Sequence, residues 1–530
     1  MVTSRVLAVI LAVASIGVQE ARSQPAAGSA SGSDTAPAVQ AEDEEASAGS
    51  SATLVAPADP KARLVWLQTK VAQALSSFPQ LGKARIGAYA LDLASDTELF
   101  SHAADTGLAI ASSTKLLTSI AALGTLGGGF RWRTAVYADD IDDATGKVTG
   151  NLYLRGRGDP TLSKADLDQL AADVAARGIR SIDGQLIVDT GYFDTDVEPP
   201  HFADQPKERA GFRAPVASLG VGKSAFTVTV LPDPSGPGIV QLDPDVPDYV
   251  RTGKIDVKTV TDKRTRLKID VKPKGGRLEV DVSGQIKVAT GSYDVRKRID
   301  DPVKLATEVF RAALAAHDVK LGKRSVAIGP VPTTAKLVAA HDSAPLALVI
   351  REMNKQSDNY VAESLLKTLG AETRATPGPA TWADGKAGVA AFLAKLGIPA
   401  GTYRADNGSG LYDASSVSPH QLVTLLRAAY RDFRIGPDLV ASLPTGGVDG
   451  TLAKRWTKSA AKGRVRAKTG TLDKVVSLAG YVATDDSHQL AFAIVANDIP
   501  PGQRAAARAL ADAIVDALLA YVDAAGSSPR

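Results

Sequence analysis

The sequence contains no cysteine among its 530 residues. This absence excludes a disulfide framework, thiolate metal sites, iron–sulfur clusters and a cysteine nucleophile. Six histidines are scattered along the chain without an HExxH or HxH pair, so the sequence predicts no histidine-built metal site. We therefore expect neither a metal nor an organic cofactor.

An excess of charge of one sign is also missing, because 61 Lys and Arg face 58 Asp and Glu. A protein that binds nucleic acid by neutralising phosphates needs a concentrated positive excess, so no nucleic-acid partner is expected. Aromatic residues make up only 5% of the chain, too few for a carbohydrate groove lined with stacking rings. The 44% of apolar residues is enough to bury the cores of two to four domains.

No apolar run in the chain reaches the length of a membrane span, and the most apolar segment stands at the start. Val6–Val18 is a short apolar run that follows one positive charge, and Ala21–Ser23 supplies a small-x-small cleavage pattern. This combination predicts a signal peptide over residues 1–23, with an uncleaved anchor as the alternative. We therefore expect a protein of the cell envelope, secreted or periplasmic, whose mature chain needs no membrane span.

Composition and hydrophobic pattern divide the remaining chain into a linker, two outer segments and a middle segment. Residues 24–60 are rich in Ala, Ser, Gly and Pro and predict a disordered linker. A helix and a hairpin follow, and the chain ends with a second hairpin and a long helix, which suggests one antiparallel sheet shared by both ends. Short alternating strands with Gly/Pro turns dominate the middle.

These patterns predict a multi-domain α/β protein. The catalytic domain is expected to combine residues 61–137 with residues 336–525, as an antiparallel sheet flanked by helices. Residues 138–335 are expected to form an insertion of one or two β-rich domains. This arrangement requires the two ends of the insertion to lie close together in space.

Three short motifs occur together in an order that suggests chemistry. Ser112-x-x-Lys115 precedes an amphipathic helical pattern, Ser357-Asp358-Asn359 lies beside another helical run, and Lys468-Thr469-Gly470-Thr471 precedes a strand. The same trio, SxxK with SDN and KTG, is found in class A β-lactamases and penicillin-binding proteins. Each motif alone is a weak signal, but their co-occurrence on suitable elements is specific.

The SxxK pattern occurs a second time in the chain, from Ser459 to Lys462. No amphipathic helix follows it, so we interpret it as a solvated loop. Asn359, in contrast, is the one asparagine of five in the chain with a serine two residues before it.

The residue types fit an acyl transfer through a serine nucleophile. At i,i+3 on one helix face, the Lys115 amine can reach the Ser112 hydroxyl and act as its base if the amine is neutral. Lysine has a reference pKa of about 10.4, so keeping it half-neutral at pH 7 costs roughly 4.6 kcal/mol. Burial supplies part of that free energy, and a second cation, Lys468, supplies more.

The other motif residues supply the remaining roles. Ser357 can relay a proton between the lysines and the leaving amine, and Asn359 can bind the substrate amide. Lys468 can attract a substrate carboxylate, with the hydroxyls of Thr469 and Thr471 as hydrogen-bond donors. The backbone N–H groups of Ser112 and Thr471 are the expected oxyanion donors.

On these motifs the chain resembles the serine-type D-Ala-D-Ala carboxypeptidases/endopeptidases, the low-molecular-mass class C penicillin-binding proteins. The long separation between Ser112 and Ser357 is typical of that subgroup, and the segments GRGDPTL, DNGSGL and GGVDGTL are similar to its habitual stretches. The resemblance implies the penicillin-recognising serine transpeptidase/β-lactamase-like fold. It also implies a serine DD-peptidase that cleaves the D-Ala-D-Ala terminus of peptidoglycan stem peptides through an acyl-enzyme on Ser112. D-Ala cross-links are a second expected target, and β-lactams are the expected covalent inhibitors.

Three alternatives stay open at the level of sequence. One is a catalytically idle peptidoglycan-binding module, which has no need for an aligned nucleophile and base. A second is a β-lactamase, for which no segment supplies the glutamate that would activate a deacylating water. The third is an esterase that uses the same acyl-serine machinery on other acyl donors.

Overall fold

The computed structural model describes residues 54–483 and 489–526. The predicted signal peptide and residues 24–53 of the predicted linker lie outside the described residues, and the last predicted linker residue, Pro60, is the first residue of α1. The helices that it describes are α1 (Pro60–Ser76), α2 (Thr114–Leu126), α3 (Lys164–Ala176), α4 (Pro302–Ala316), α5 (Leu346–Gln356), α6 (Asn359–Thr373), α7 (Trp382–Lys395), α8 (Pro419–Arg431), α9 (Gly436–Ser442) and α10 (Arg504–Gly526).

The strands that it describes are β1 (Arg85–Asp92), β2 (Glu98–His102), β3 (Arg133–Asp142), β4 (Lys147–Arg155), β5 (Ser181–Ile182), β6 (Leu186–Asp189), β7 (Ala225–Leu231), β8 (Ile239–Asp243), β9 (Val250–Val260), β10 (Arg266–Lys274), β11 (Arg277–Lys287), β12 (Tyr293–Arg298), β13 (Lys320–Leu321), β14 (Val326–Ile328), β15 (Lys336–Asp342), β16 (Arg404–Ala405), β17 (Ser415–Ser416), β18 (Val465–Leu472), β19 (Val475–Ala483) and β20 (Gln489–Asn497).

Both ends of the described chain contribute to one five-stranded antiparallel sheet, as predicted. Its order is β18–β19–β20–β1–β2, and β1 pairs with β20 along its whole length, from Arg85 opposite Asn497 onwards. The sheet lies between two layers of helices, so the predicted fold class, an antiparallel sheet flanked by helices with extra sheets inserted, is confirmed.

The side chains of the central strands point alternately to the two faces of this sheet, and apolar side chains on both faces explain why helices cover both. Leu478 and Phe492 belong to a core shared with α1 and α10, whereas their chain neighbours Ala479 and Ala493 belong to a core shared with α2 and α8. Successive side chains of a strand point to opposite faces of the sheet. A strand with apolar side chains at successive positions therefore has to be buried on both faces. The layer with α2 and α8 is the one next to the functional motifs.

The middle of the chain forms three further sheets. β3, β4, β5, β6, β13, β14 and β15 make a mixed sheet, and two three-stranded sheets have the orders β10–β11–β9 and β12–β7–β8. α3 and α4 pack on these sheets through a core of their own, which includes Leu167 and Phe310. No helix within the described ranges is long and apolar enough to cross a membrane.

The entry and exit of this middle segment lie side by side. β3 and β15 are antiparallel neighbours, and Ala138 is the register partner of Lys336. The two predicted boundaries, 137/138 and 335/336, therefore fall on one pair of adjacent strands, and the first boundary lies inside β3. The division of the chain into separate domains stays a prediction.

α10 carries a partly buried carboxyl group, that of Asp516, and this group predicts a pH-dependent stability. Burial, with the neighbouring charge of Asp512, raises the pKa of Asp516 to about 7. Between the ordinary pKa of an unfolded aspartate and this value, the folded state keeps a proton that the unfolded state has lost. Folding is therefore penalised increasingly as the pH rises through that window.

We expect Asp516→Asn to remove this penalty. The variant should be more stable than the wild type at pH 8, by on the order of 2–4 kcal/mol, and the difference should shrink at pH 5. Thermal unfolding of both proteins at the two pH values measures it. An equal difference at both pH values would contradict the proposed burial of a protonated carboxyl.

Candidate active site

Ser112 lies in a tight turn rather than in the first turn of an α-helix. Residues Ala111–Ser113 form a 3-10 turn that leads directly into α2. Ala111 has a φ of 46°, a left-handed conformation that a residue with a side chain adopts only when its surroundings impose it. The turn still places Ser112 and Lys115 on one face, and Lys115 Nζ donates to Ser112 Oγ at 3.1 Å.

Lys115 is fully buried and is bound by acceptors from three separate segments. Besides Ser112 Oγ, its Nζ donates to Asn359 Oδ1 on α6 at 2.7 Å and to the backbone oxygen of Ser409 at 3.0 Å. A buried amine is costly unless its hydrogen-bonding capacity is used. These acceptors therefore fix the position of the amine against Ser112.

Ser357 and Lys468 form a second pair at the same site. Ser357 caps the end of α5 in the left-handed conformation, with a φ of 57°. Lys468 Nζ donates to Ser357 Oγ at 2.8 Å and to the backbone oxygen of Thr469 at 2.8 Å. Lys468 is fully buried, so its ammonium lies behind the cleft surface.

The Lys-Thr-Gly motif lies on β18, at the edge of the five-stranded sheet beside the Ser112 turn. A Cβ atom on Gly470 would come within 2.4 Å of Ser477 Oγ, 2.5 Å of the Ile110 oxygen and 3.0 Å of the Ser112 nitrogen. Only glycine lets the strand approach this closely. Ser477 Oγ also donates to the Ile110 oxygen at 2.7 Å and is hydrogen bonded to Ser113 Oγ at 2.8 Å, which joins turn and sheet.

Ser112 and Ser357 open onto a cleft of about 460 Å³. Asn359, Thr451 and Thr471 line it as well, whereas Thr469 is nearly buried and is hydrogen bonded to Thr451 through the two hydroxyls at 2.7 Å. The described residues contain no group of three or more His, Cys, Asp or Glu side chains that could hold a metal ion.

The middle segment of the chain, residues 138–335, supplies one wall of this cleft, which the sequence analysis did not predict. Phe212, Lys223 and Arg296 line it. Lys223 Nζ donates to Asp358, the middle residue of the Ser-Asp-Asn motif, and to Glu352, both at 2.8 Å. Burial lowers the pKa of Lys223, but the two carboxylates raise it more, so the lysine stays charged.

Two of the segments that resemble family stretches contact the site. In DNGSGL, Ser409 binds Lys115 through its backbone oxygen. In GGVDGTL, Asp449 accepts two hydrogen bonds from the buried Lys355, at 2.6 and 2.7 Å, and thereby anchors the loop that carries Thr451. The second SxxK copy lies in consecutive turns before β18, where Ser459 Oγ accepts from a backbone N–H, and it does not line the cleft.

Sequence reasoning missed Glu363, which is fully buried on α6 one turn after Asn359. Its carboxylate accepts from the backbone N–H groups of Gly408 and Ser409, each at 2.9 Å. The signal that could have found it is an acidic residue one helical turn after Asn359, and so on the same face of the helix.

Comparisons with known proteins agree on one family. The model of the D-Ala-D-Ala carboxypeptidase 3 (S13) family matches residues 67–520. A D-alanyl-D-alanine carboxypeptidase from an Actinomadura species is 34% identical over 455 residues, which cover 82% of this chain and 82% of that protein. The D-alanyl-D-alanine carboxypeptidase DacB of Haemophilus influenzae is 25% identical over 396 residues, with 74% of this chain and 81% of that protein covered.

Solved structures show the same fold. The crystal structure of penicillin-binding protein 4 from Haemophilus influenzae superposes with a TM-score of 0.70 at 22% identity, covering 84% of this chain and 98% of that chain. A second structure of that protein, complexed with a β-lactam, has a TM-score of 0.66 at 22% identity, covering 83% of this chain and 97% of that chain.

The close approach of β18 to the Ser112 turn predicts the effect of one added methyl group. Gly470→Ala should destabilise the protein by about 1–3 kcal/mol and slow any reaction of Ser112, because the strand has to move away from the turn. Urea unfolding measures the change. Gly129→Ala is the matched control, since a Cβ there meets nothing within 4 Å. Equal stability of the two variants would show that the strand and the turn are not tightly packed.

Proposed function

Because the chain belongs to the D-Ala-D-Ala carboxypeptidase 3 (S13) family, we propose that it forms its acyl-enzyme on Ser112. The protein is a serine-type D-Ala-D-Ala carboxypeptidase, a hydrolase. The observation that carries the assignment of the nucleophile is the contact of the buried Lys115 amine with the Ser112 hydroxyl at the floor of the cleft.

The surroundings of Lys115 suit a general base. A neutral amine has two N–H donors and one lone pair. When Asn359 Oδ1 and the Ser409 oxygen accept the two N–H bonds, the lone pair is directed to Ser112, whose hydroxyl then donates to it. In the proposed reaction Ser112 Oγ attacks the carbonyl carbon of the penultimate D-Ala and its proton moves to Lys115.

The tetrahedral intermediate needs hydrogen-bond donors for its oxyanion. The backbone N–H groups of Ser112 and Thr471 are proposed to supply them, because both residues line the cleft and β18 packs against the turn. When the intermediate collapses, the C–N bond breaks and the leaving D-Ala amine takes a proton, which Ser357 passes on from Lys115. Water then hydrolyses the ester and releases the shortened peptide.

Recognition of the substrate is proposed to divide between Asn359 and β18. Asn359 is held by Lys115 at its oxygen and can donate its amide N–H to a substrate carbonyl. The terminal carboxylate would accept from the hydroxyls of Thr471 and Thr469, while the charge of the buried Lys468 attracts it from behind. Lys468 also orients Ser357, which links recognition of the carboxylate to the proton relay.

We propose the peptidoglycan stem peptide as substrate and β-lactams as covalent inhibitors that acylate Ser112. The names of the curated relatives and the β-lactam complex of the Haemophilus protein support this proposal. The family suggests a location in the cell envelope. Secretion or export to the periplasm, and cleavage of D-Ala cross-links by the same site, are further proposals.

We expect Ser112→Ala to abolish both covalent labelling by a fluorescent penicillin and release of D-Ala from a D-Ala-D-Ala peptide, because the attacking oxygen is lost. Mass spectrometry of the penicillin-treated wild type should place the adduct on the peptide that contains Ser112. Ser459→Ala, in the second SxxK copy, is the matched control and should be labelled like the wild type. An adduct on Ser459 would refute the assignment.

Replacing Lys115 and replacing Lys468 should reduce activity in different ways on different substrates. Lys115→Ala should slow acylation by every donor, because the base is lost. Lys468→Ala should reduce kcat/KM for a depsipeptide with a free terminal carboxylate more than for its carboxylate-blocked analogue. Steady-state kinetics with both substrates measure the two ratios, and equal losses for Lys468→Ala would contradict its role in carboxylate recognition.

A further inference from the structure

Glu363 is a buried carboxyl residue that takes no direct part in the steps of the proposed acyl transfer. It is fully buried on α6, one turn after Asn359, and faces the loop that contains Gly408 and Ser409. Burying a carboxylate is costly unless its oxygens accept hydrogen bonds. Each oxygen of Glu363 accepts one backbone N–H, from Gly408 to Oε2 and from Ser409 to Oε1.

The loop that Glu363 holds presents its carbonyl oxygens to α2. The Ser409 oxygen accepts from Lys115 Nζ at 3.0 Å, and the Gly408 oxygen accepts from Thr118 Oγ1 at 2.8 Å. Lys115 and Thr118 lie three residues apart on one face of α2. The Gly408–Ser409 peptide unit therefore joins Glu363 on α6 to α2, with its N–H on one side and its C=O on the other.

Packing leaves this loop little freedom to adopt another position. A Cβ on Gly408 would lie 2.5 Å from the Ala362 oxygen, and one on Gly410 would lie 1.9 Å from the Ala111 oxygen. The loop is thus wedged between α6 and the turn that carries Ser112. Asn407 Oδ1 accepts from the Gly410 N–H at 2.8 Å and closes the loop on itself.

We propose that Glu363 is a positioning residue for the acylation base: it fixes the loop whose Ser409 oxygen holds Lys115 against Ser112, and its negative charge favours the protonated form of Lys115. The inference rests on the proposed function, because it takes Lys115 as the base. Burial raises the pKa of Glu363 above its usual value, because the side chain of Ser409, the N–H groups of Gly408 and Ser409 and the charge of Lys115 offset it only in part. Each carboxyl oxygen accepts a backbone N–H, an arrangement that suits the ionised form.

Several charged groups surround Lys115, and their signs decide the expected pH dependence. Glu363 faces it from α6, and Lys468 reaches the site from β18 through Ser357. Asp358 and Lys223 are paired with each other at the edge of the cleft. Removing the negative charge of Glu363 takes away an attraction for the proton on Lys115, so the protonated form of Lys115 is disfavoured and the neutral base persists to lower pH.

The test measures penicillin acylation of Ser112 against pH in the full-length protein. Glu363→Gln should lower the maximal acylation rate by about 10–100-fold, because one N–H contact is lost and Lys115 is displaced. At the same time the acid limb of the profile should move to lower pH, while the dissociation constant of the non-covalent penicillin complex stays near the wild-type value. Glu363→Asp keeps the charge, so it should lower the rate but leave the acid limb unmoved.

Glu372→Gln is the matched control on the same helix, because Glu372 accepts from Tyr192 Oη and does not contact the loop. It should acylate like the wild type. A folded Glu363→Gln protein with the wild-type rate would overturn the proposal, and so would a lower rate with an unmoved acid limb, which a merely structural role predicts. If Glu363→Gln does not fold, Glu363→Asp decides, since a wild-type rate in that variant overturns the positioning role.

Failure of this inference is distinguishable from failure of the proposed function. Acylation of the wild type at Ser112 tests the proposed function by itself. The ratios between the variants and the wild type test the role of Glu363, and they are defined only once that acylation is observed.

Discussion

The buried amine of Lys115 is the constraint on which the rest of the site depends. Taking a lysine side chain completely out of water costs several kcal/mol unless its nitrogen finds partners. Ser112, Asn359 and the backbone of Ser409 supply them, and these residues come from a turn, a helix and a loop that are distant in sequence. The turn of Ser112, α6 and the loop of Ser409 have to come together before the amine can be buried, so catalytic geometry and folding stability are closely coupled here.

Much of the architecture could be predicted because it follows from local patterns. The nearly continuous apolar runs of β19 and β20 and the helical periodicity of α10 define a hairpin and a helix. A similar helix and hairpin near the other end of the chain predict that both ends share one sheet. The motif residues could be identified because acyl transfer needs a hydroxyl, an amine and an amide in a fixed order. Their chemistry is carried by side chains, which a sequence displays directly.

Other features could not be predicted, because they depend on backbone groups or on long-range packing. The oxygen of Ser409 contributes to the site as a main-chain atom, and any residue type has one. The burial of Lys468 follows from how β18 packs, which residue type alone does not reveal. Lys223 reaches Asp358 from a segment far along the chain, and no periodicity encodes such a contact. Ser112 lies in a 3-10 turn because β18 and the loop around Gly410 press on it from two sides.

The ion pair between Lys223 and Asp358 limits how this protein can be engineered. Next to this ion pair, Ser224 Oγ donates to Tyr360 Oη. Phe193, Ala214 and Val216 of the middle segment are part of the core that contains α2 and α6. A truncation that splices β3 directly to β15 would leave Asp358 without its cation and open that core to water. The middle segment thus forms one wall of the cleft, and a chimera that exchanges this segment with that of a relative would have to transfer the matching residues of α6 as well.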